Sequence, residues 1–230
     1  MLSVKLYSSL KNFFSKNDNV YVTKPFLPPL IKLYPYLRRI WKTGIITNSG
    51  PIHEELESEL CKYLKVENIS LCSNGTLALL TAIKSLNLKG EVITTPFSFI
   101  ATSNALIWNQ LTPVFADVEP NSPNIDPLKV EKLINKNTSA ILAVHCYGIP
   151  CDVKALSQIA KKHNLKLIYD AAHAFGVEIN GESILNFGDL SILSFHATKV
   201  FNTFEGGAII SHKMKDKEYI DQLKNFGFVD

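Results

Sequence analysis

The chain has 230 residues, 46% of them hydrophobic, so it is long and apolar enough to bury a substantial core. Its 24 basic and 21 acidic residues are spread along the sequence, and the formal charge of +3 is too small to indicate a nucleic-acid or anionic-membrane partner. The four cysteines form neither a CxxC pair nor a disulfide scaffold, and no stretch resembles a secretory signal or a membrane span. We therefore expect a cytosolic protein with reduced thiols and no metal.

The N-terminal part of the chain is predicted to precede the main domain. Residues 1–20 alternate apolar side chains with lysine and serine, which indicates a polar or loosely helical leader. The segment KPFLPPLIKLYPYLRRIW (24–41) then brings four prolines close together and predicts an extended arm. The expected organisation is a leader over 1–20, an arm with a loop over 21–51, and a large domain over 52–230.

From residue 52 onward, predicted helices alternate with predicted strands. Ile52, Leu56, Leu60, Tyr63 and Leu64 recur at helical spacing and predict a helix that leads into the strand ISLCS (69–73). The later helices are predicted at 75–87, near 99–108, near 127–134 and over 152–163. The later strands are predicted at EVITTP (91–96), PVFADV (113–118), SAILAVH (139–145) and LKLIYD (165–170). This alternation predicts an α/β fold whose mostly parallel sheet is covered by helices on both faces.

The pattern changes after Asp170. GDLSILSFHA (188–197) and GGAIIS (206–211) are predicted to be strands, but the residues between them contain no helix long enough for a parallel crossover. We therefore expect the sheet to finish with antiparallel or mixed strands.

The first candidate site residues lie where a strand turns into a helix, in CSNGTLALLTAI (72–83). Gly75 lets the backbone approach a ligand, and the unpaired N–H groups at Gly75 and Thr76, with the helix dipole, suit a phosphate. An ordinary helix cap by Ser73 or Asn74 explains the same residues. The segment is neither GxGxxG nor a Walker loop, which argues against a dinucleotide or a nucleoside triphosphate.

Polar and aromatic residues also follow two later strands. Phe97 or Phe99 could cover a flat ring by stacking, although core filling is the simpler interpretation of that segment alone. Asp170 ends a strongly apolar strand, so its carboxylate requires a cationic or N–H partner unless it caps a helix. His173 is open to two interpretations, a structural hydrogen-bonding role or a catalytic one.

Lys199 lies in SFHATKVFNTFEGG (194–207), an apolar run that leads into a turn. Such a lysine is either a surface residue or an amine held inside for chemistry. A helix N-terminus for a phosphate, an aromatic cover, an acid at a strand end and a lysine are together the parts that hold pyridoxal phosphate (PLP), which binds lysine as a Schiff base.

Five motifs occur in one order along the chain: GIITNSGP (44–51), NGTLAL (74–79), PFSFIAT (96–102), YDAAHAFG (169–176) and SFHATKVFNTFEGGAI (194–209). Together they resemble the DegT/DnrJ/EryC1/StrS family of PLP-dependent nucleotide-sugar aminotransferases. The resemblance runs from about residue 21 to the C-terminus. It implies fold type I, the aspartate aminotransferase fold, with residues 52–230 as its PLP-binding large domain.

The resemblance implies a role for each matching residue. Lys199 would carry the cofactor, and Asp170 would face the pyridine nitrogen, keep it protonated and so make the ring an electron sink. Lys199 would also move the proton between substrate and cofactor, as base and then as acid. The remaining cofactor-binding residues implied are Gly75, Thr76 and Ser194 for the phosphate, Phe99 for stacking on the ring, and His173 on the 3-hydroxyl side. Thr47 and Asn48 would line the entrance to the site.

The resemblance also implies the reaction and the partners. Glutamate would donate the amino group and a keto-sugar nucleotide would accept it, within a homodimer. The sequence is most similar to the branch that aminates dTDP-4-keto-6-deoxyglucose at C4, as in dTDP-viosamine formation for cell-surface polysaccharide or O-antigen. A rival branch, the PLP-dependent sugar dehydratases, carries histidine at the position of Lys199.

One departure keeps another class of function open. Members of the family continue into a smaller C-terminal domain, which this sequence does not include, so we expect a fragment or a shortened gene product. The alternative function is therefore a truncated, catalytically impaired PLP-binding or regulatory homologue. A nicotinamide-binding Rossmann domain shares the strand–helix alternation but lacks the Gly-rich fingerprint.

Overall fold

The computed structural model describes residue 21 and residues 23–228, so the leader predicted for residues 1–20 lies outside the described part of the chain. The α-helices are α1 (Tyr34–Thr43), α2 (Pro51–Leu64), α3 (Gly75–Ser85), α4 (Ile100–Trp108), α5 (Pro127–Leu133), α6 (Val153–His163) and α7 (Met214–Lys224). The strands are β1 (Asn68–Cys72), β2 (Glu91–Thr94), β3 (Thr112–Phe115), β4 (Thr138–Val144), β5 (Lys166–Asp170), β6 (Glu178–Ile179), β7 (Glu182–Ser183), β8 (Leu190–Ser194) and β9 (Gly207–Ser211).

Seven strands form one mixed sheet in the order β1-β9-β8-β5-β4-β2-β3. Five adjacent strands run parallel to one another, in the order β8, β5, β4, β2 and β3. Strand β9 runs antiparallel to both β8 and β1. The predicted mostly parallel sheet and its antiparallel finish are both confirmed. A separate two-stranded hairpin, β6 with β7, was not predicted.

Two apolar layers cover the two faces of the sheet. Successive residues of a strand point to opposite faces, so Ile141 packs in one layer and Leu142 in the other. Helices α2, α5 and α6 supply buried side chains to the first layer, and α3, α4 and α7 supply them to the second. The predicted α/β fold with helices on both faces is confirmed, and its apolar strands owe their lack of alternation to this double burial.

The prediction of an extended arm is wrong over Tyr34–Thr43, which forms α1. The prolines at 25, 28 and 29 lie before this helix, while Pro35 occupies its first turn, where a missing N–H costs nothing and the fixed φ favours a helix. No proline follows until the helix has ended at Gly44, whose φ of 70° is left-handed. The proline count therefore overstated the extended region.

Two other expectations about the helices need correction. Tyr63 follows the helical spacing of α2, yet 68% of it is exposed and its ring stacks on Phe175 at 5.6 Å between centroids. Helix α7 was not predicted, although it buries Ile220 against the second layer.

Among the described residues, no helix combines the length and the apolar character that crossing a membrane would require.

Candidate active site

The ends of four strands meet at one edge of the sheet. The register pairs Val144 with Asp170, Asp170 with Ile192, and Ser194 with Gly207. Because β9 is antiparallel, its first residue lies beside the last residues of β8 and β1. This is the edge at which open α/β sheets bind ligands.

A cavity of about 470 Å³ opens at this edge. Seven residues proposed from the sequence line it: Gly75, Thr76, Phe99, Asp170, His173, Ser194 and Lys199. They come from four separate parts of the chain, and the sheet brings them together.

The N-terminus of α3 forms one end of the cavity. The side chain of Asn74 caps the helix, since its Oδ1 accepts a hydrogen bond from the N–H of Leu77 at 2.8 Å. The N–H groups of Gly75 and Thr76, the first two of the helix, have no intrahelical acceptor because they lie at its start, and the cap at Leu77 does not involve them. The helix-cap interpretation is therefore confirmed, and it is compatible with an anion at the same helix end.

Close packing at this helix end requires glycine at two positions. A Cβ on Gly75 would lie 2.9 Å from the Cβ of Ser194, and a Cβ on Gly207 would lie 2.6 Å from the carbonyl of Asn74. The start of α3 consequently rests directly on β8 and β9. This contact places the Ser194 side chain beside the free N–H groups.

Asp170 lies at the floor of the cavity and is 5% exposed. Its Oδ2 accepts from the hydroxyl of Thr102 at 2.7 Å and its Oδ1 from the N–H of Ala172 at 3.1 Å. Burial raises the pKa of Asp170, and these two hydrogen bonds, with the charges of His173 and Lys199, only partly oppose the rise. The chain after Asp170 forms a turn and no α-helix, so the helix-cap interpretation of this residue is wrong.

Lys199 lies in the loop between β8 and β9, five residues after the strand ends. The side chain is half-buried in the cavity wall, and its backbone N–H donates to the carbonyl of His196 at 2.9 Å. Burial lowers the pKa of Lys199, and the charge of Asp170 opposes this shift. A lowered pKa makes the neutral, nucleophilic amine more accessible.

The two aromatic residues that follow β2, Phe97 and Phe99, lie at the surface and not in the core. Phe99, just before α4, lines the cavity mouth and is 73% exposed; Phe97 is 46% exposed and meets Tyr147 edge to face at 6.2 Å. The core-filling interpretation of both phenylalanines is therefore wrong. An exposed ring beside a cavity is free to cover a flat ligand.

His173 makes a structural hydrogen bond while lining the cavity. Its Nδ1 accepts from the N–H of Tyr147 at 3.3 Å, and its ring stacks on the Tyr147 ring at 6.0 Å between centroids. Burial lowers the pKa of His173, as does the positive charge of Lys199. Both interpretations of this histidine are compatible with the structure.

Four residues of the site were not foreseen from the sequence: Thr102, His196, Thr198 and Glu205. The last three line the cavity, whereas Thr102 is fully buried behind Asp170. One signal for Thr102 was available, because it lies on the same helical face as the apolar Ala105 and Leu106. A polar residue on a buried face requires a hydrogen-bond partner.

Thr47 and Asn48 do not line this cavity. They line a neighbouring cavity of about 680 Å³, and Glu205 forms part of the wall of both cavities. The Nδ2 of Asn48 donates to Oδ1 of Asn225 at 2.9 Å. A role for this loop at the entrance to the site therefore stays a prediction.

Comparison with known proteins gives consistent matches. Residues 32–230 match the model of the DegT/DnrJ/EryC1/StrS aminotransferase family. A dTDP-4-amino-4,6-dideoxy-D-glucose transaminase of Shigella dysenteriae is 58% identical over 211 residues, which are 92% of this chain and 58% of the relative. The chain thus spans less than two thirds of that relative's length.

Two solved structures are similar in fold and sequence. DesI in the presence of its TDP-sugar product has a TM-score of 0.89 and 36% identity, covering 93% of this chain and 55% of DesI. NtdA from Bacillus subtilis with bound cofactor PMP has a TM-score of 0.78 and 32% identity, covering 91% of this chain and 50% of NtdA.

Proposed function

The chain belongs to the DegT/DnrJ/EryC1/StrS aminotransferase family, and from this premise we propose that it binds PLP and transfers an amino group to a nucleotide-linked keto sugar. One observation carries the proposal: a buried carboxylate and a half-buried amine face one cavity that also holds a helix start with two N–H groups lacking an intrahelical acceptor. In this proposal residues 21–51 form the arm and active-site loop, and residues 52–230 form the PLP-binding large domain.

The cavity suits a phosphorylated pyridine in volume and in charge. Its volume of about 470 Å³ lies within the range of small-molecule sites. The glycines at 75 and 207 keep the helix end close to Ser194, so that free N–H groups and a hydroxyl are side by side for a phosphate. The hydrogen bonds that described residues give to Asp170 come from neutral donors, so a protonated ring nitrogen would supply the cation that this buried acid needs.

Different residues would bind different parts of the cofactor. The phosphate would be held by Gly75, Thr76 and Ser194, the ring by Phe99 and Asp170, the 3-hydroxyl side by His173, and the aldehyde carbon by Lys199. When bound, PLP supplies an electron sink for the carbon that loses or gains the amino group.

The chain's own contribution to the chemistry lies in two side chains. Lys199 would hold on Nζ the proton that moves between the substrate's amino-bearing carbon and the aldehyde carbon of the cofactor, in one direction in the donor half-reaction and in the other in the acceptor half-reaction. A lowered pKa favours this role. Asp170 would be a carboxylate in the bound state, because the protonated ring nitrogen would be a further cation that opposes the effect of burial on its pKa. Thr102 holds that carboxylate in place through its hydroxyl.

The Shigella relative's name suggests the substrate of this chain. We propose glutamate as amino donor and dTDP-4-keto-6-deoxyglucose as acceptor, within cell-surface polysaccharide or O-antigen biosynthesis. A cytoplasmic location and a homodimer belong to the same proposal. The second candidate is a PLP-binding or regulatory homologue with impaired catalysis.

The test of the cofactor site is attachment of PLP to the purified 230-residue chain. We expect a yellow absorbance, and after borohydride reduction we expect peptide mass spectrometry to find the label on Lys199. Lys199→Ala should lose both signals, whereas Lys161→Ala, an exposed lysine on α6, should keep both. A folded chain that takes up no PLP, or carries it on scattered surface lysines, would refute the cofactor proposal.

The test of the reaction is product formation from glutamate and dTDP-4-keto-6-deoxyglucose. Formation of the 4-amino sugar supports the aminotransferase. Attachment of PLP to Lys199 without any amino transfer supports the impaired homologue.

A further inference from the structure

The loop that carries Lys199 is held together by its own residues. We call residues 195–206 the lysine loop. At its base, the N–H of Phe195 donates to the carbonyl of Gly206 at 2.7 Å, and the carbonyl of Phe195 accepts from the N–H of Thr203 at 3.0 Å. Beyond this base, one side chain contacts both arms of the loop.

That side chain belongs to His196. Its Nδ1 lies 2.8 Å from the hydroxyl of Thr198 and 3.3 Å from the N–H of the same residue. Its Nε2 lies 3.4 Å from Oε1 of Glu205 on the opposite arm of the loop, and its backbone carbonyl accepts from the N–H of Lys199 at 2.9 Å. His196 therefore contacts Lys199, the residue before it and the far arm of the loop.

The hydrogen bonds assign a role to each ring nitrogen. The N–H of Thr198 can only donate, so Nδ1 is the acceptor, and Nε2 carries the hydrogen that faces the Glu205 carboxylate. Glu205 thus orients the ring, and the ring orients the residue next to Lys199. An acid that fixes a histidine so that it can position a third group is a recurring arrangement in enzyme sites.

The stability of the fold gives little reason for this pair. The His196 and Glu205 side chains are 46% and 61% exposed, and polar contacts between side chains this exposed contribute little to stability. Both residues line the cavity that holds Lys199. Since the His196–Glu205 pair adds little to stability, we explain it by its effect on the position of the Lys199 amine.

We propose that His196, oriented by Glu205, is a positioning residue that holds the Lys199 amine where it can react with the carbonyl carbon of the cofactor. The inference rests on the proposed function. The attachment step that it governs replaces the C=O bond of the aldehyde with a C=N bond to Nζ, and water leaves. No redox partner is needed.

The test compares two probes that differ only at the reacting carbon. Pyridoxal 5'-phosphate measures binding of the phosphate and ring together with covalent attachment to Lys199. Pyridoxine 5'-phosphate lacks the aldehyde, so it measures binding of the phosphate and ring alone. For His196→Ala we expect attachment of the first probe to slow by at least about tenfold, because small displacements of a reacting group have large effects on rate. Affinity for the second probe should stay within about twofold, since the phosphate and ring contacts are untouched.

Conservative variants sharpen the test. His196→Asn places an amide oxygen near the position of Nδ1 and should recover most of the attachment rate. His163→Ala is the matched control, because His163 makes a similar pair with Glu131 at 3.3 Å, on α6 and outside the cavity lining. This control should leave both probes unaffected.

An unchanged rate of pyridoxal 5'-phosphate attachment in His196→Ala would overturn the inference. Equal losses in this rate and in the affinity for pyridoxine 5'-phosphate would also overturn it. If that variant does not fold, Glu205→Ala replaces it and must show the same selective loss, of about threefold or more, the upper part of the effect of an exposed pair. Failure of the wild type to bind either probe would refute the proposed function, and this inference with it. Normal wild-type attachment with unaffected variants would refute the inference alone.

Discussion

Asp170 with Lys199 in the cavity, and a second group of charged residues between α2 and α7, are both partly or fully buried, and they differ in how their charges are matched. In the cavity, Asp170 receives hydrogen bonds from a hydroxyl and an N–H. In the second group, which we call the ionic cluster, opposite charges lie in contact; its members are Glu57 on α2 and Lys217, Asp221 and Lys224 on α7. Lys217 Nζ lies 3.0 Å from Oε2 of Glu57 and 2.8 Å from Oδ2 of Asp221.

The pKa values move in opposite directions in the two groups. In the ionic cluster, burial lowers the pKa of Lys217, but the hydrogen bond to Asp221 and the contacts with Glu57 outweigh it and raise the pKa. Burial likewise raises the pKa of Asp221, but the hydrogen bonds from Lys217 and Lys224 outweigh it and lower the pKa. In the cavity burial prevails, so the pKa of Asp170 rises and that of Lys199 falls. The charges of the ionic cluster offset their burial, whereas the opposite charges of Asp170 and Lys199 do not, and such shifted pKa values are typical of functional sites.

The largest expected effect is that of Asp170→Asn on cofactor binding. The amide keeps the size of the side chain but removes the charge that would pair with a protonated ring nitrogen. We expect PLP to bind about a hundredfold more weakly, the size expected for a lost hydrogen bond between charged groups. Absorbance titration measures this loss, and PLP affinity equal to that of the wild type would show that Asp170 does not face the cofactor.

Lys217→Met should lower the stability of the fold and leave PLP binding unchanged. It leaves Glu57 and Asp221 partly buried without their main partner, and we expect a loss of about 2 kcal/mol in the free energy of unfolding, less than for a fully buried pair. PLP affinity should not change. Urea denaturation measures the loss, with Lys62→Met as control, because Lys62 pairs with Glu59 on the exposed side of α2 and its removal should have no measurable effect. Equal stabilities of the two variants would mean that the ionic cluster adds nothing to the fold.

Thr102→Val should have a smaller effect, confined to the cavity. Valine has the shape of threonine but cannot donate the 2.7 Å hydrogen bond to Asp170, so the pKa of the carboxyl should rise further. We expect PLP binding to weaken about fivefold, the value of one ordinary hydrogen bond. Thr102→Ser keeps the hydroxyl and should bind PLP almost as the wild type does. The hypothesis of a supporting role for Thr102 fails if both variants bind alike.

The smallest effect is expected in the pH dependence of stability without cofactor. Because the folded pKa of Asp170 lies above its ordinary value of 3.8, ionisation of this group lowers stability as the pH rises from that value through the raised pKa. Asp170→Asn should therefore become more stable than the wild type over that window and not below it. Asp221 has the opposite sign, since its lowered pKa adds stability that is lost as the pH falls through that pKa. Urea denaturation across a pH series measures both, and a constant difference between Asp170→Asn and the wild type would contradict the first.

Much of this molecule follows from the sequence alone. The alternation of short apolar runs with amphipathic helices determined the α/β sheet, because burial on both faces removes polar residues from the strands. Residues at strand ends, together with the resemblance of five motifs to a known family, then identified seven positions that line one cavity, since parallel strands bring their carboxyl ends to a common edge. The first inference uses only local periodicity and a general property of sheets, whereas Ser194 and the role of each site residue follow from the resemblance.

The partners of those residues depended on the tertiary structure. Thr102 meets Asp170 across 68 positions of sequence, and His196 meets Glu205 through the course of a loop. Thr47 and Asn48 match a motif, yet they line the neighbouring cavity. Periodicity reports which side of a helix or strand is buried, but not which element packs against it. The strand order, and with it the hydrogen bonds and charges around Asp170 and Lys199, was decided by how the helices and strands pack together.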